Sequence, residues 1–238
     1  MFWFCTDILP FISLLYFCSM LSPTEENYLK ALFTIANAEG EVTVNELSKK
    51  LNIKMPTVNS MMKKLAEKDL VHYETYKPLK LTSPGKTEAA LILRKHRLTE
   101  MYLVEKMGFG WEQVHDIAEQ IEHLNSPEFF KKMDELLGYP KVDPHGSPIP
   151  DGSGKMKWAH YRKLSECKPG ETVTLSAVTN STDEFLKFLN SYDLQLGTRL
   201  KIKEVEAFDG TMTVSYGNKK SKALSKMAAE KLLIKEVN

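Results

Sequence analysis

The chain has 238 residues, 42% of them hydrophobic and 26% charged, which is the make-up of a folded protein of one large or two small domains and excludes disorder along its whole length. Its 32 Lys and Arg against 31 Asp and Glu leave a net charge of +1, which names no partner until the charges are located along the chain. Cys5, Cys18 and Cys167 make neither a disulfide framework nor a zinc spacing, so cysteine chemistry is excluded as the function and a reduced, cytoplasmic protein is the simplest fit.

Residues 1–21 form the one strongly apolar run. No Lys or Arg precedes it, as a signal peptide would require, and Thr6, Asp7, Pro10 and Ser13 interrupt it as a membrane span. Residues 1–20 are therefore read as an extension or start-site artefact ahead of Met20, and no membrane association is expected. Ser22, Pro23, Thr24, Glu25 and Glu26 then start a helix that carries Tyr28, Leu29, Leu32 and Ile35 at helical spacing. After Gly40, Thr43 caps a short helix with Leu47 and Leu51 inward, and a second opens at Pro56 and runs through Val58, Met61, Met62 and Leu65. Two short helices joined tightly around residues 52–54 are a helix-turn-helix. A hairpin of residues 71–73 and 79–81 follows, so 21–82 is predicted to be a winged helix.

Residues 83–137 return to helix. Ala89, Leu91, Ile92, Leu98, Met101, Leu103 and Met107 give one long apolar face, and further helices are predicted over 111–123 and 126–137. In the linker at 138–157, Gly and Pro recur too often for regular structure. From 158 to 238 the pattern changes to β-branched alternation at 171–178, 198–206 and 211–216, with one helix at 183–192, which predicts a small all-β barrel. The fold class is thus mainly α in the N-terminal part and all-β at the end.

The charges are segregated. Between Lys49 and Lys86 there are nine Lys against Glu67, Asp69 and Glu74, whereas from His96 to Asp143 ten acids face five bases. The acidic block holds His115, Glu119, Glu122 and His123, which on a helix of about 100° per residue fall within an arc of about 100°. Upstream, His96 and Glu100 share a face at i, i+4 spacing. Imidazole and carboxylate groups so placed suit a divalent transition metal such as Mn, Fe, Co or Zn; solvated ion pairs are the alternative for either group alone. No HExxH, phosphate loop or activated nucleophile supports an enzyme. In the basic block, Pro56, Thr57, Asn59, Ser60, Lys63 and Lys64 lie on the first turns of the second helix of the motif, with Lys77 and Lys80 on the wing. These residue types hydrogen-bond base edges and neutralise phosphates, and the alternative is a solvated helix face.

TEENYLKAL at the start, MPTVNSMMKKL in the second helix, LTSPG after the wing, then RKHRLTE, VHDIAEQIEH and DPHGSPIP, occur in the order of the diphtheria-toxin-repressor and manganese-transport-regulator family, which the chain resembles over about residues 21–237. The resemblance implies a homodimeric, metal-activated transcriptional regulator that binds double-stranded DNA at a palindromic operator. It makes 83–137 the metal-binding and dimerisation part, and 158–238 an SH3-like domain related to ferrous-transport protein A. It places His96, Glu100, His115 and Glu184 in one metal site and Glu119, Glu122 and His123 in another, with Asn27 at the position of a ligand from the first helix. A second first-helix carboxylate of manganese-type members falls on Lys30, and another from the β domain falls on Ser181. Iron-type members carry a sulfur ligand where Glu119 stands, so Mn(II) is expected over Fe(II) as the activating metal of a repressor of metal-uptake genes. The competing readings are a winged-helix regulator gated by iron or by a small molecule, and, more remotely, a metalloenzyme.

Overall fold

A computed structural model describes residues 21–36, 39–157, 160–179 and 182–236. The apolar run at 1–20 and the position of Ser181 lie outside the described residues. Among those described, no helix is long and apolar enough to cross a membrane. The chain divides into two compact units, residues 1–89 and 90–238.

In the first unit, α1 (Pro23–Ile35), α2 (Val44–Leu51) and α3 (Met55–Glu67) stand with three short strands, β1 (Glu41–Val42), β2 (Val71–His72) and β3 (Leu79–Leu81). Ser22 and Glu25 form a reciprocal capping box on α1, and Thr43 and Glu46 form one on α2, so each start is fixed by groups three residues apart. Asn52 ends α2 in the left-handed conformation (φ 53°), and its N–H and that of Ile53 return to the Lys49 and Ser48 carbonyls. That turn brings Pro56 into the first turn of α3. The sheet is antiparallel in the order β1-β3-β2. The two-residue β1 was absent from the sequence reading because no periodicity exists over two residues. Tyr28, Leu29, Leu32, Leu47, Val58, Met62, Leu65 and Leu79 are fully buried and make the core.

α4 (Ser83–Met107) starts against this unit. Thr82 donates to the Asp69 carbonyl and accepts from the Gly85 N–H, and a Cβ on Gly85 would lie 1.9 Å from the Leu70 carbonyl oxygen. Only glycine fits there, which is the physical content of the LTSPG motif.

In the second unit α4 continues, followed by α5 (His115–Ile121) and α6 (Pro127–Leu136). The helix expected over 111–123 is shorter than predicted: residues 111–114 form a turn closed by Gln113 N–H on the Gly110 carbonyl, and helix ends where Glu122 turns inward and is fully buried. The stretch at 138–157 is irregular, as its Gly and Pro dictate, yet it is packed. Asp143, His145 and Ile149 are buried, Ile149 joins Leu98, Phe130 and Met133 in one core, and Arg94 and Arg97 donate to the Pro150 and Pro148 carbonyls. It is a packed strap.

The β domain carries β4 (Arg162–Lys163), a short 3-10 turn, β5 (Thr172–Val178), α7 (Asp183–Ser191), β6 (Arg199–Val205), β7 (Met212–Tyr216), β8 (Lys219–Leu224), α8 (Lys226–Lys231) and β9 (Leu232–Glu236). The strands form one antiparallel sheet in the order β4-β9-β5-β6-β7-β8. Val173, Leu175, Leu200, Ile202, Met212 and Val214 alternate inward onto Leu186 and Leu189 of α7. β8 and β9 escape a sequence reading because Lys219, Lys220, Lys222 and Lys235 interrupt their apolar alternation, although Leu224, Leu232 and Ile234 are buried. The strap meets this sheet directly: Val178 N–H donates to the His145 carbonyl at 2.9 Å, and Gly146 (φ 85°) passes so close to β5 that a Cβ would lie 2.3 Å from the Ser176 carbonyl oxygen.

One buried charge governs the winged helix. Glu25 is 1% exposed, with Lys68 Nζ at 2.7 Å and Lys64 Nζ at 3.3 Å. Burial alone would raise its pKa, but Lys68, the Ser22 N–H and hydroxyl, and Lys64 outweigh burial and bring it from 4.5 down to about 2. A depressed carboxyl pKa gives stability that is complete above the unfolded value and lost as pH falls through the folded one. Glu25→Gln is expected to cost up to about 3 kcal/mol at neutral pH. In urea unfolding, the gap between wild type and variant should close as pH falls from about 4.5 to about 2; a gap that does not depend on pH refutes the assignment.

Candidate metal centre and DNA-reading face

α4 sets His96 and Glu100 one turn apart on its buried face, 5% and 3% exposed. His96 Nε2 lies 3.0 Å from Glu100 Oε1, and His115 Nδ1, from the first residue of α5, lies 3.4 Å from the same oxygen. The other carboxylate oxygen, Oε2, faces Nδ1 of His145 on the strap at 3.7 Å. One buried carboxylate is thus ringed by three imidazoles. Its pKa is raised by burial but held well below the usual range by hydrogen bonds from His115, His145 and His96, which together win.

The far sides of two of these rings, His96 and His145, are anchored. His96 Nδ1 stands 2.6 Å from Glu122 Oε2, whose side chain is wholly buried, and His145 Nε2 donates to the Trp111 carbonyl at 2.9 Å while its ring stacks on the indole. A carboxylate or carbonyl that fixes one ring nitrogen leaves the other aimed inward, the arrangement found around metal-ligating histidines. Two groups of donor atoms each lie within 4.8 Å of one another: His96, Glu100 and His115, and Glu100, Asp143 and His145. Each short contact sets an imidazole nitrogen against an oxygen that can only accept, so a proton or a metal ion lies between them. The donor set is nitrogen and carboxylate oxygen; Cys167, the one cysteine among the described residues, is buried in the β domain. These residues fit a divalent first-row cation.

Helical spacing does not point to Asp143 and His145 as ligands. Asp143 Oδ1 accepts from the N–H groups of His145 and Ser147 at 2.8 and 2.9 Å, and Oδ2 lies 3.3 Å from Arg97 Nε. Burial, together with repulsion from Glu100, raises its pKa, and Arg97 only partly offsets this. The signal was an Asp-x-His triplet inside the Gly/Pro stretch, where helical periodicity is silent.

The second predicted group is gathered less tightly. Glu119 is exposed, with Oε1 3.8 Å from His115 Nε2, and Glu122 Oε1 is 3.7 Å from His123 Nε2. Glu122 therefore touches both groups, a role that sequence spacing alone did not reveal. Glu184 belongs to neither cluster among the described residues. It is exposed in the first turn of α7, where its own backbone N–H and the Thr182 hydroxyl lower its pKa. Asn27 lies on α1 in the first unit, its Oδ1 buried without a hydrogen-bond partner among the described residues.

On α3, Pro56, Thr57, Ser60, Lys63 and Lys64 are exposed and Asn59 is half-buried. Three of the four predicted lysines are already engaged: Lys64 with Glu25, Lys77 with Glu74 at 2.5 Å and Lys80 with Glu41 at 2.9 Å.

Residues 20–79 match the N-terminal DNA-binding domain of iron-dependent repressors, 82–151 their metal-binding and dimerisation domain, and 162–236 the FeoA domain. The chain is 31% identical over 189 residues to the iron-dependent repressor IdeR of Mycobacterium leprae, spanning 76% of this chain and 79% of that protein. It belongs to the iron-dependent repressor family. The diphtheria toxin repressor of Corynebacterium efficiens is 32% identical over 194 residues, covering 76% of this chain and 84% of its own. A solved manganese-dependent transcriptional repressor in complex with manganese superposes with a TM-score of 0.81 at 29% identity, over 90% of this chain and all of the other. This protein is a metal-dependent transcriptional repressor with a helical N-terminal part and an SH3-like FeoA domain, and its family domains imply DNA and a second copy of the chain as partners.

Since Glu122 fixes the His96 ring, Glu122→Gln should lower the affinity of the repressor for Mn(II) by about 10–100-fold in calorimetric titration. The loss should shrink in a His96→Ala background. Equal losses in both backgrounds would show that Glu122 does not act through His96.

Proposed function

We propose that this repressor is activated by Mn(II) in preference to Fe(II), with His96, Glu100, His115, Asp143 and His145 as donors of one centre and Glu119, Glu122 and His123 as donors of the other. The observation that carries the preference is the donor set: carboxylates and imidazoles with no thiolate. Mn(II) binds most weakly in the first-row series and is selected by hard ligands and availability, whereas sulfur favours later metals. The bound cation supplies positive charge that replaces the protons between imidazoles and carboxylates, so binding releases protons and weakens as pH falls. Glu100 holds the imidazoles together, and Glu122 and the Trp111 carbonyl keep two of them oriented.

The repressor acts in the cytoplasm as a homodimer on a palindromic operator near metal-uptake genes, and it carries out no reaction. Metal and operator stabilise the same conformer, so each raises the affinity for the other by the same factor. The first turns of α3 face the major groove, Asn59 and Ser60 reading bases and Pro56, Thr57, Lys63, Lys64, Lys77 and Lys80 placing the backbone.

Gel-shift titration over Mn(II), Fe(II), Co(II) and Zn(II) at matched free-metal concentration tests the preference. Mn(II) should activate operator binding at a lower free concentration than Fe(II), a chelator should abolish binding, and Glu119→Cys should move the response towards the later metals. Equal activation of the wild type by Fe(II), or an unchanged metal order in Glu119→Cys, refutes manganese selectivity. For DNA, Lys63→Ala should lower the slope of log affinity against log salt by about 0.9 on every sequence, while Asn59→Ala should relax sequence preference. Lys64→Ala is the poorer probe, because it also strips a partner from Glu25.

A further inference from the structure

Residues 74–77 close the wing with a four-residue turn in which the Lys77 N–H donates to the Glu74 carbonyl at 3.1 Å. Tyr76 is its third residue, with φ 67°. Turns with positive φ at that position take Gly or Asn, since a side chain there crowds the backbone. Tyrosine therefore works against the turn. Packing does not explain it either, because Tyr76 is wholly exposed (102%). A large aromatic residue kept in a disfavoured conformation, with its side chain in solvent, points to a task outside the fold.

The place suggests the task. Between the wing and the start of α3 lies a cleft of about 310 Å³, lined by Thr43, Met55, Asn59, Tyr73, Tyr76 and Lys77 among others. In duplex DNA a single sugar–phosphate strand separates the major groove from the minor. With the start of α3 placed in the major groove, the strand that bounds it would run along this cleft and the wing tip would stand at the neighbouring minor groove. We infer that Tyr76 is a specificity-determining residue of the operator complex, entering the minor groove beside the half-site. Its ring would lie against sugars and its hydroxyl would hydrogen-bond the groove floor. There A·T and T·A offer only acceptors, whereas G·C adds the guanine N2 amino group, so a phenol that donates favours A·T-rich flanks. Lys77 exchanges Glu74 for a phosphate in the same movement.

The inference rests on α3 being the reader, and the test separates the two. The full chain, loaded with Mn(II), is assayed on a duplex selected from random sequence by the wild type. Tyr76→Gly relieves the backbone, so thermal unfolding should occur at the same or a higher temperature, while operator affinity falls about tenfold. Tyr76→Phe should keep part of that affinity. Introducing G·C in the flank should weaken the wild type, I·C at the same position should restore it, and Tyr76→Gly should ignore both changes. Unchanged affinity in Tyr76→Gly, or a flank preference that survives it, overturns the role of Tyr76. If Asn59→Ala on the same duplex has no effect while Tyr76→Gly does, the reading of α3 fails instead.

Discussion

The second unit is organised around one buried carboxylate. Glu100 sits on α4 in a place where an isolated negative charge would be costly, and it is held there by imidazoles from three separate segments: α4 itself, the start of α5 and the strap. Each of those segments must be in place for the charge to be satisfied. The short α5, the inward turn at Glu122 and the packed course of 143–149 are consequences of that requirement. A cluster that needs protons to remain stable is also one that a divalent cation can enter by displacing them, so the same constraint serves folding and sensing.

The strap carries this constraint to the β domain. Asp143 is fixed by two backbone N–H groups and Arg97, and His145 is fixed by Trp111, whose indole N–H in turn donates to Asn190 of α7 at 2.8 Å. Gly146 follows at a distance from β5 that admits no side chain. A path from Glu100 to the contact with the β sheet runs through His145 and Gly146. The FeoA domain is thus bound into the unit that contains the candidate metal centre, through hydrogen bonds that originate at a candidate ligand.

Much of this was legible in the sequence, and the failures have physical causes. Capping boxes at Ser22 and Thr43, the proline at α3 and the alternation in β5 to β7 are local signals, and they were read correctly as elements. Helical spacing pairs His96 with Glu100 and sets His115 with Glu119, Glu122 and His123; the grouping of His96, Glu100 and His115 comes from the family resemblance alone. The error at α5 came from treating 111–123 as one cylinder: burial of Glu122 against His96 is a tertiary event that no helical wheel contains. Asp143 and His145 went unassigned because a loop brings ligands together by its path through space, which has no period. Glu184 comes from the resemblance alone, since no local pattern at the start of α7 links it to the helices that carry the histidines.

Lys64 shows how the winged helix couples its own stability to its partner. It faces the solvent, where a phosphate can reach it, while its Nζ stands near the buried Glu25. Contact with a phosphate has to compete with that carboxylate, whereas Lys63, one residue earlier, carries no such debt among the described residues. Lys68 is the closer partner of Glu25, at 2.7 Å, and can keep the buried charge neutralised when Lys64 turns outward. A buried carboxylate with two lysines can therefore lend one to DNA without being left unpaired, which a single ion pair could not do. The basic block of the sequence is then not a uniform electrostatic surface. Lys64, Lys77 and Lys80 each stand beside an acid, so under the proposed DNA contact each must first leave that acid to meet a phosphate.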